Sequence, residues 1–176
     1  MKGNFLNGYH YLSMNQFDDA IKNFSLGLKI ENIKNLHLVL YTALLDNYAY
    51  SNFKNKTSSD EKDFIESLKI RDSINDVAGK VNSRIHLTEY YLSQKDTSKA
   101  LQYNEEANRL AKESKYNKEV LQTLDFYTQL KPKEGLKYAK EYIKLSDSLQ
   151  QQERLTRNKL ARIEFETDEI IIEKEA

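Results

Sequence analysis

A set of small and apolar residues recurs four times along this chain, at intervals of roughly 35 to 40 residues. Such a period is typical of helical repeat arrays, in which each pair of helices buries its apolar side only against the neighbouring pairs. The recurrence therefore predicts stacked helical hairpins that build an extended surface for binding. The four copies contain Ala20, Phe24, Gly27 and Ile30; Phe64, Ser67 and Ile70; Ala100, Ala107 and Leu110; and Gly135, Ala139 and Leu145.

The composition favours helices and argues against two classes of partner, nucleic acids and membranes. Among the 176 residues, 39% are hydrophobic and 31% are charged, and one proline and five glycines are too few for the turns of a many-stranded sheet. We therefore expect an all-α fold. The 27 basic and 27 acidic residues cancel, which disfavours a nucleic-acid partner for this segment. Because the longest apolar run, 38–45, is shorter than the roughly 20 residues that span a bilayer, we expect no membrane segment in it.

The recurrence divides the chain into about four units and a tail. Asp18 and either Asp96 or Thr97 are expected to cap the second helices of units one and three, and Ser58 with Glu61 fits a capping box in unit two. Each unit is expected to contain two helices joined by a polar turn. The predicted units span about 1–31, 34–75, 76–113 and 117–145, and residues 146–176 extend the last helix.

Five residues of the first unit carry a more specific pattern, with small residues at positions 8, 20 and 27 and rings at positions 11 and 24. They are Gly8, Tyr11, Ala20, Phe24 and Gly27. This pattern resembles the tetratricopeptide repeat, whose hallmark is the same arrangement of small and aromatic residues. The tryptophan and proline that are frequent in the family are absent, since asparagine stands at positions 4 and 32. The resemblance implies a right-handed α-solenoid of about four hairpins, followed here by a long C-terminal helix.

The tail is expected to form one uninterrupted helix, because residues 145–174 contain neither glycine nor proline. Its charges segregate into a basic stretch followed by an acidic one. Two interpretations remain open: a solvated helix with internal pairs such as Arg162 with Glu166, or a coiled-coil seam through which two copies form a homodimer. The seam residues, at the a and d spacing of a heptad, are Leu160, Ile163, Thr167 and Ile170.

Residues 157–168, with the sequence RNKLARIEFETD, carry a second resemblance. They are similar to the segment that follows the repeats in tetratricopeptide signalling proteins of Bacteroidetes-type bacteria. In those proteins the helix continues toward a transmembrane segment, beyond which lies a histidine kinase module or a helix-turn-helix output domain. The resemblance implies that the chain is the sensory input region of such a protein, truncated before its membrane segment. It favours the periplasmic face of a membrane-anchored protein, with a cytoplasmic place as the alternative.

No residue pattern in the sequence points to catalysis, to a cofactor or to a metal ion. His10, His37 and His86 lie in three different predicted helices, without an acidic or histidine partner at metal-ligand spacing. The sequence has no phosphate-binding loop and no nucleophile elbow. Cysteine is absent from it, which excludes disulfides and thiolate chemistry. We therefore expect a chain that binds and does not catalyse.

By the tetratricopeptide resemblance, residues of each first helix that point away from the core line a concave groove. Asp46 and Glu89 in this set would repel a terminal carboxylate, so the groove is expected to accept a helix or an extended segment of a protein or peptide. Signal input is the implied role; a scaffold or co-chaperone-like adaptor and a peptide-sensing regulatory domain are the alternatives. The expected groove residues are Tyr9, Ser13, Asp46, Tyr50, Glu89, Ser93, Leu124 and Thr128.

Overall fold

The structure is a computed structural model that describes residues 2–57 and 60–175, and for Lys2, Glu166 and 168–175 it describes the backbone only. Every regular element within these residues is helical, which confirms the expectation of an all-α, repeat-like chain. A 3-10 helix at Pro132–Glu134 precedes the last element. The α-helices are α1 (Lys2–Ser13), α2 (Phe17–Leu28), α3 (Ile33–Leu36), α4 (Leu38–Lys54), α5 (Lys62–Ser73), α6 (Val77–Ser93), α7 (Thr97–Glu113), α8 (Asn117–Leu130) and α9 (Gly135–Glu175).

Short turns end most of these helices with one residue in the left-handed backbone region. At the α6–α7 turn, the N–H of Asp96 bonds the carbonyl of Tyr91 at 3.0 Å, which is the Schellman arrangement and requires a positive φ at Lys95. Asparagine tolerates this conformation better than lysine does. The residues concerned, with φ between 54° and 61°, are Asn15, Asn32, Lys56, Asn75, Lys95 and Lys115.

These turns give a first prediction, for Lys95→Gly. Glycine has no Cβ to strain at positive φ, so we expect the variant to raise the free energy of unfolding by about 0.5–1 kcal/mol. Lys140→Gly, at an exposed position inside α9, is the control and should lower it by about 1 kcal/mol. Urea unfolding followed by circular dichroism measures both. Equal losses in the two variants would contradict the proposed strain at Lys95.

The helix starts agree only in part with the predicted caps. The side chain of Asp96 accepts a hydrogen bond from the backbone N–H three residues on, so Asp96 caps α7 as predicted. The prediction for Asp18 was wrong, because Gln16 is the residue before α2 and Asp18 lies inside the first turn. There its charge still faces the positive end of the helix dipole. Ser58 lies outside the described residues.

Small residues and rings bring the first helices together as the sequence predicts. Phe24 and Ala20 are fully buried, and Leu44 of α4 packs on them. A Cβ atom built on Gly8 would lie 2.6 Å from Cε1 of Phe24, and one on Gly27 would lie 2.6 Å from Cδ2 of Leu44. Both distances are shorter than an ordinary van der Waals contact of a Cβ atom. A larger residue at either position would therefore have to displace a buried side chain where α2 crosses α1 and α4.

The order of contacts is that of a repeat-like stack. The first helices of the four hairpins, α1, α4, α6 and α8, contact one another in series. Each of α2, α5 and α7 packs against the first helix of its own hairpin and against the next one, and α9 packs against α8. The short helix α3 was not predicted, and α4 has 17 residues where α1 has 12, which accounts for the greater length of the second unit. One face of the stack is thus built from first helices.

The last element is a single helix of 41 residues, Gly135–Glu175, in agreement with the prediction of an uninterrupted tail. Leu160 and Ile163 are 55% and 48% exposed, and Thr167 is exposed as well. The side chain of Ile170, the fourth predicted seam residue, lies outside the described residues. Within the described part of the chain, no helix combines the length and the apolar character that crossing a bilayer requires.

Candidate functional site

The face built from first helices contains a cavity of about 510 Å³, which we call the groove. All four first helices contribute to it, and Arg71 of α5 and Asp76 before α6 complete its wall. Such a volume is within the range of natural ligand pockets. The contributions of the four helices include Phe5, Tyr9, Leu12 and Ser13; Ala43, Asp46, Asn47 and Tyr50; Gly79, Asn82, Ile85, His86 and Glu89; and Lys118, Glu119, Gln122 and Phe126.

Five of the eight residues expected from the sequence line this groove: Tyr9, Ser13, Asp46, Tyr50 and Glu89. They come from α1, α4 and α6. The structure therefore brings these five expected residues together in one cavity, and their role in binding stays a prediction. The expected positions on α8 do not line the groove, and neither does the one at the end of α6.

The other three residues require corrections. Leu124 is only 1% exposed and belongs to the apolar core between α6, α7 and α8, so no ligand in the groove can reach it. Ser93 is the exposed last residue of α6, and its hydroxyl donates to the carbonyl of Tyr90 at 2.6 Å. Thr128 lines a different cavity, between α8 and α9. On α8 the expected positions fall two residues beyond Gln122 and Phe126, which line the groove.

A buried ionic cluster forms the floor of the groove: Asp46, Arg71, Ser83 and His86. Nη1 of Arg71 lies 3.3 Å from Oδ2 of Asp46, and their side chains are 4% and 1% exposed. Burial alone would raise the pKa of Asp46, but the neighbouring His86 and Arg71 outweigh it and hold this pKa below its usual value. The cluster joins α4, α5 and α6.

The hydrogen bonds of Arg71 and Ser83 fix the cluster further. Nη1 of Arg71 donates to the carbonyl of Gly79 at 2.9 Å and to Oγ of Ser83 at 2.7 Å. The hydroxyl of Ser83 in turn donates to Oδ1 of Asp46 at 2.8 Å. A Cβ at Gly79 would lie 2.6 Å from Nε of Arg71, so glycine leaves room for the guanidinium. Nε makes no hydrogen bond within the described residues, and lies 3.6 Å from Oδ2 of Asp76.

His86 connects the buried cluster to the open groove. Its Nδ1 lies 2.8 Å from Oδ2 of Asp46, and since an ionised carboxylate only accepts hydrogen bonds, Nδ1 is the donor. In the neutral ring, Nε2 then carries a lone pair. The ring stacks on Tyr50, with centroids 3.9 Å apart and planes 10° from parallel. Both contacts hold the imidazole in one orientation, and Nε2 makes no hydrogen bond to the part of the chain that the structure describes.

Glu89 orients Tyr50, the ring on which His86 stacks. The hydroxyl of Tyr50 donates to Oε2 of Glu89 at 2.6 Å, and Nζ of Lys54 contacts Oε1 at 2.6 Å. Burial, and then the charge of Glu89 and the hydrogen bond to it, raise the pKa of Tyr50. The carboxylate is thus already neutralised by lysine. The groove is therefore less negative than its aspartates and glutamates suggest.

The raised pKa of Tyr50 gives a second prediction. The unfolded chain releases the tyrosine proton near pH 10 and the folded chain keeps it, so this contribution to stability is present below pH 10 and is lost as the pH rises further. Between pH 10 and 11 we expect the wild-type free energy of unfolding to fall by about 1 kcal/mol more than that of Tyr50→Phe. Urea unfolding at each pH measures the difference. Parallel pH profiles would contradict the assignment.

Two polar residues of the groove, Arg71 and His86, were not expected there from the sequence. Arg71 belongs to a second helix, and the partners of Asp46 are 25 to 40 residues away along the chain. The histidines were expected to have no partner at metal-ligand spacing, and the structure adds a contact of another kind, between His86 and Asp46, which lies 40 residues before it. The burial of Asp46 and Arg71, which marks this pair, is visible only in the structure. Among the described residues, no group of three or more histidines, aspartates or glutamates is placed to hold a metal ion.

Comparisons with known proteins give no functional assignment for this chain. No protein-family model matches it, and no curated protein matches it either. The groove geometry and the sequence patterns are therefore the basis for a functional proposal.

Proposed function

We propose that the chain is a non-catalytic tetratricopeptide-type repeat domain that binds a protein segment or peptide in the groove. The observation that carries this proposal is the convergence of four first helices on one cavity of about 510 Å³. Its lining combines rings, amides and a histidine held in one orientation. Such a mixture of apolar walls with a few placed polar groups suits a ligand that has to be oriented.

We further propose that binding serves signal input, with α9 as the connection to an output module of a histidine kinase or a transcription regulator. The 41-residue helix continues directly from the last hairpin, and its segment 157–168 resembles the connecting segment of bacterial tetratricopeptide sensors. Leu160 and Ile163, exposed on this helix, would pair two copies in a homodimer. A change in the direction or pairing of α9 on binding would transmit the signal.

Obstruction of the groove tests the binding function. Ala43 lines the cavity, and Ala43→Trp would fill part of it; Ala161→Trp, on the exposed part of α9, is the matched control. We expect peptides selected from a display library against the wild-type chain to bind the control and to lose at least about tenfold affinity for Ala43→Trp. Selection of peptides that bind both variants equally, or of none, would contradict the proposal.

A further inference from the structure

The stack ends at α9 with an apolar face that none of the described helices covers. A cavity of about 560 Å³ opens there between α8 and α9. On its α9 side Leu136 is 72%, Tyr142 38% and Ile143 57% exposed, and Ala139 lies in the same wall. We call these four residues the end face. A contiguous exposed apolar patch marks a contact site for a partner.

Two stacked pairs of tyrosines relate α9 to the second helix of the preceding hairpin. Tyr103 of α7 stacks on Tyr91 of α6, with ring planes 2° apart, and Tyr138 of α9 stacks on Tyr127 of α8, with ring planes 18° apart. Tyr138 follows Tyr103 by 35 residues. The same shift aligns each residue of the end face with a residue of α7.

The corresponding side of α7 is covered by a helix. Asn104 and Asn108 stand there in place of Ala139 and Ile143; their Nδ2 atoms donate to the carbonyl and to Oγ1 of Thr123 on α8, at 3.0 and 2.7 Å. Both asparagines are buried. Because α8 follows α7 after the short turn 114–116, the two helices run antiparallel. The end face thus has the place, and the apolar surface, for a helix that runs antiparallel to α9.

The tail of α9 carries a stripe that continues the end face. Leu160 and Ile163 lie 21 residues, or three heptads, after Ala139 and Tyr142. All four therefore share one heptad stripe. The seam at 160–170 spans fewer than two heptads, whereas a coiled coil requires about three to four. The 41 residues of α9 reach that length when two copies overlap along the whole helix.

The charges along α9 favour an antiparallel overlap. Residues 133–144 contain four lysines and two glutamates, whereas residues 163–175 contain six acids and one lysine. Residues 145–153 contain two acids and no base, and residues 154–162 contain four bases and no acid. In a parallel pair each of these blocks would lie beside its own copy. An antiparallel pair places each block beside one of opposite sign.

The opposite end of the stack fits the end face less well. The turns after α1 and α6 contain the same hydrogen bond, to the carbonyl of Tyr11 and of Tyr91 respectively, so α1 aligns with α6. In this alignment Asn7 takes the place of Leu87. Leu87 is fully buried, whereas Asn7 is exposed. A head-to-tail contact, with α1 of one copy on α9 of the next, would therefore place a polar residue against an apolar face.

We propose that the end face binds the C-terminal part of α9 from a second copy, in an antiparallel pair in which each copy covers the end face of the other. The stripe residues then meet in layers, with Ser146 opposite Ile163 and Leu149 opposite Leu160 of the other copy. This inference rests on the proposed pairing of two copies and specifies its geometry, and it is independent of binding in the groove. The change in pairing proposed for signal input would form or release this contact.

Cross-linking tests the orientation, because the chain contains no cysteine of its own. Ser146→Cys and Ile163→Cys are purified separately, one of them with a tag, mixed in equal amounts and oxidised. We expect the mixed disulfide to be the main product on a non-reducing gel. Disulfides of each variant with itself, or no disulfide between dimeric chains, would overturn the inference and leave the pairing of copies standing. A monomeric wild-type mass by sedimentation equilibrium would overturn both.

Two substitutions at Ile143 provide a second test, in which each variant is the control of the other. Ile143 lies near Glu164 of the other copy in the proposed pair, so Ile143→Lys gains an attraction where Ile143→Glu gains a repulsion. We expect the dimer of Ile143→Glu to dissociate with a Kd at least about tenfold higher, by sedimentation equilibrium. In a parallel pair both variants would meet their own copy, and equal Kd values would overturn the inference. Since Ile143 is 57% exposed, both should retain the wild-type circular dichroism spectrum.

Discussion

Replacement of Arg71 by methionine is expected to lower the free energy of unfolding by about 3–5 kcal/mol. Asp46 is 1% exposed, and its carboxylate would remain buried without the guanidinium that lies 3.3 Å away. The carbonyl of Gly79 and the hydroxyl of Ser83 would lose their donor as well. Urea unfolding followed by circular dichroism at 222 nm gives the measurement, because the chain has no tryptophan.

The double variant Asp46→Asn with Arg71→Met is the control for this result. It removes both charges while asparagine can still accept from Ser83, so we expect it to be more stable than the sum of the two single effects by about 1–3 kcal/mol. A loss below about 1 kcal/mol in Arg71→Met alone would show that the cluster does not depend on the charge pair. Additive effects would indicate that the two residues act separately.

Phe24→Ala is expected to cost about 3–5 kcal/mol. The ring is fully buried and joins α1, α2 and α4, so its removal leaves a cavity at the first two crossings of the stack. Phe165→Ala is the matched control, because that ring is 63% exposed on α9 and should change stability by less than about 0.5 kcal/mol. The same unfolding measurement compares the two variants.

Gly8 provides an independent check on that crossing. Gly8→Ala places a methyl group against the ring of Phe24, with an expected cost of about 1–3 kcal/mol in the wild-type background. In the Phe24→Ala background the obstacle is gone, and the same substitution should become neutral or stabilising. If Gly8→Ala costs as much with alanine at position 24 as with phenylalanine, the close approach of α1 and α2 does not depend on this contact.

The helices and their crossings could be predicted because they depend on residues close together in sequence. The spacing of Gly8, Ala20 and Phe24 encodes one hairpin, and the absence of glycine and proline encodes the long α9. The residues at which helices begin and end depend on the backbone geometry of the turns. The start of α2 was placed too late, at Asp18, and the short helix α3 was missed; the turns before these two helices contain left-handed asparagines, Asn15 and Asn32.

The candidate site could be predicted only where the repeat register holds. Tyr9, Tyr50 and Glu89 line the groove at positions counted along the first helices, whereas Leu124 lies in the core, between Gln122 and Phe126, which line the groove. The contacts of Asp46 with Arg71 and His86 depend on how α4, α5 and α6 pack. No spacing rule within one unit encodes a contact between side chains that belong to three helices.

The unbroken continuation of α9 has a mechanical consequence. Its 41 residues extend about 60 Å at 1.5 Å per residue, and nothing along the sequence of the helix introduces a hinge. A rotation of about 5° where α9 meets α8 would displace the far end by about 5 Å, close to one helical turn. A small shift of α9 where it contacts α8 therefore becomes a displacement several times larger at the far end of the helix.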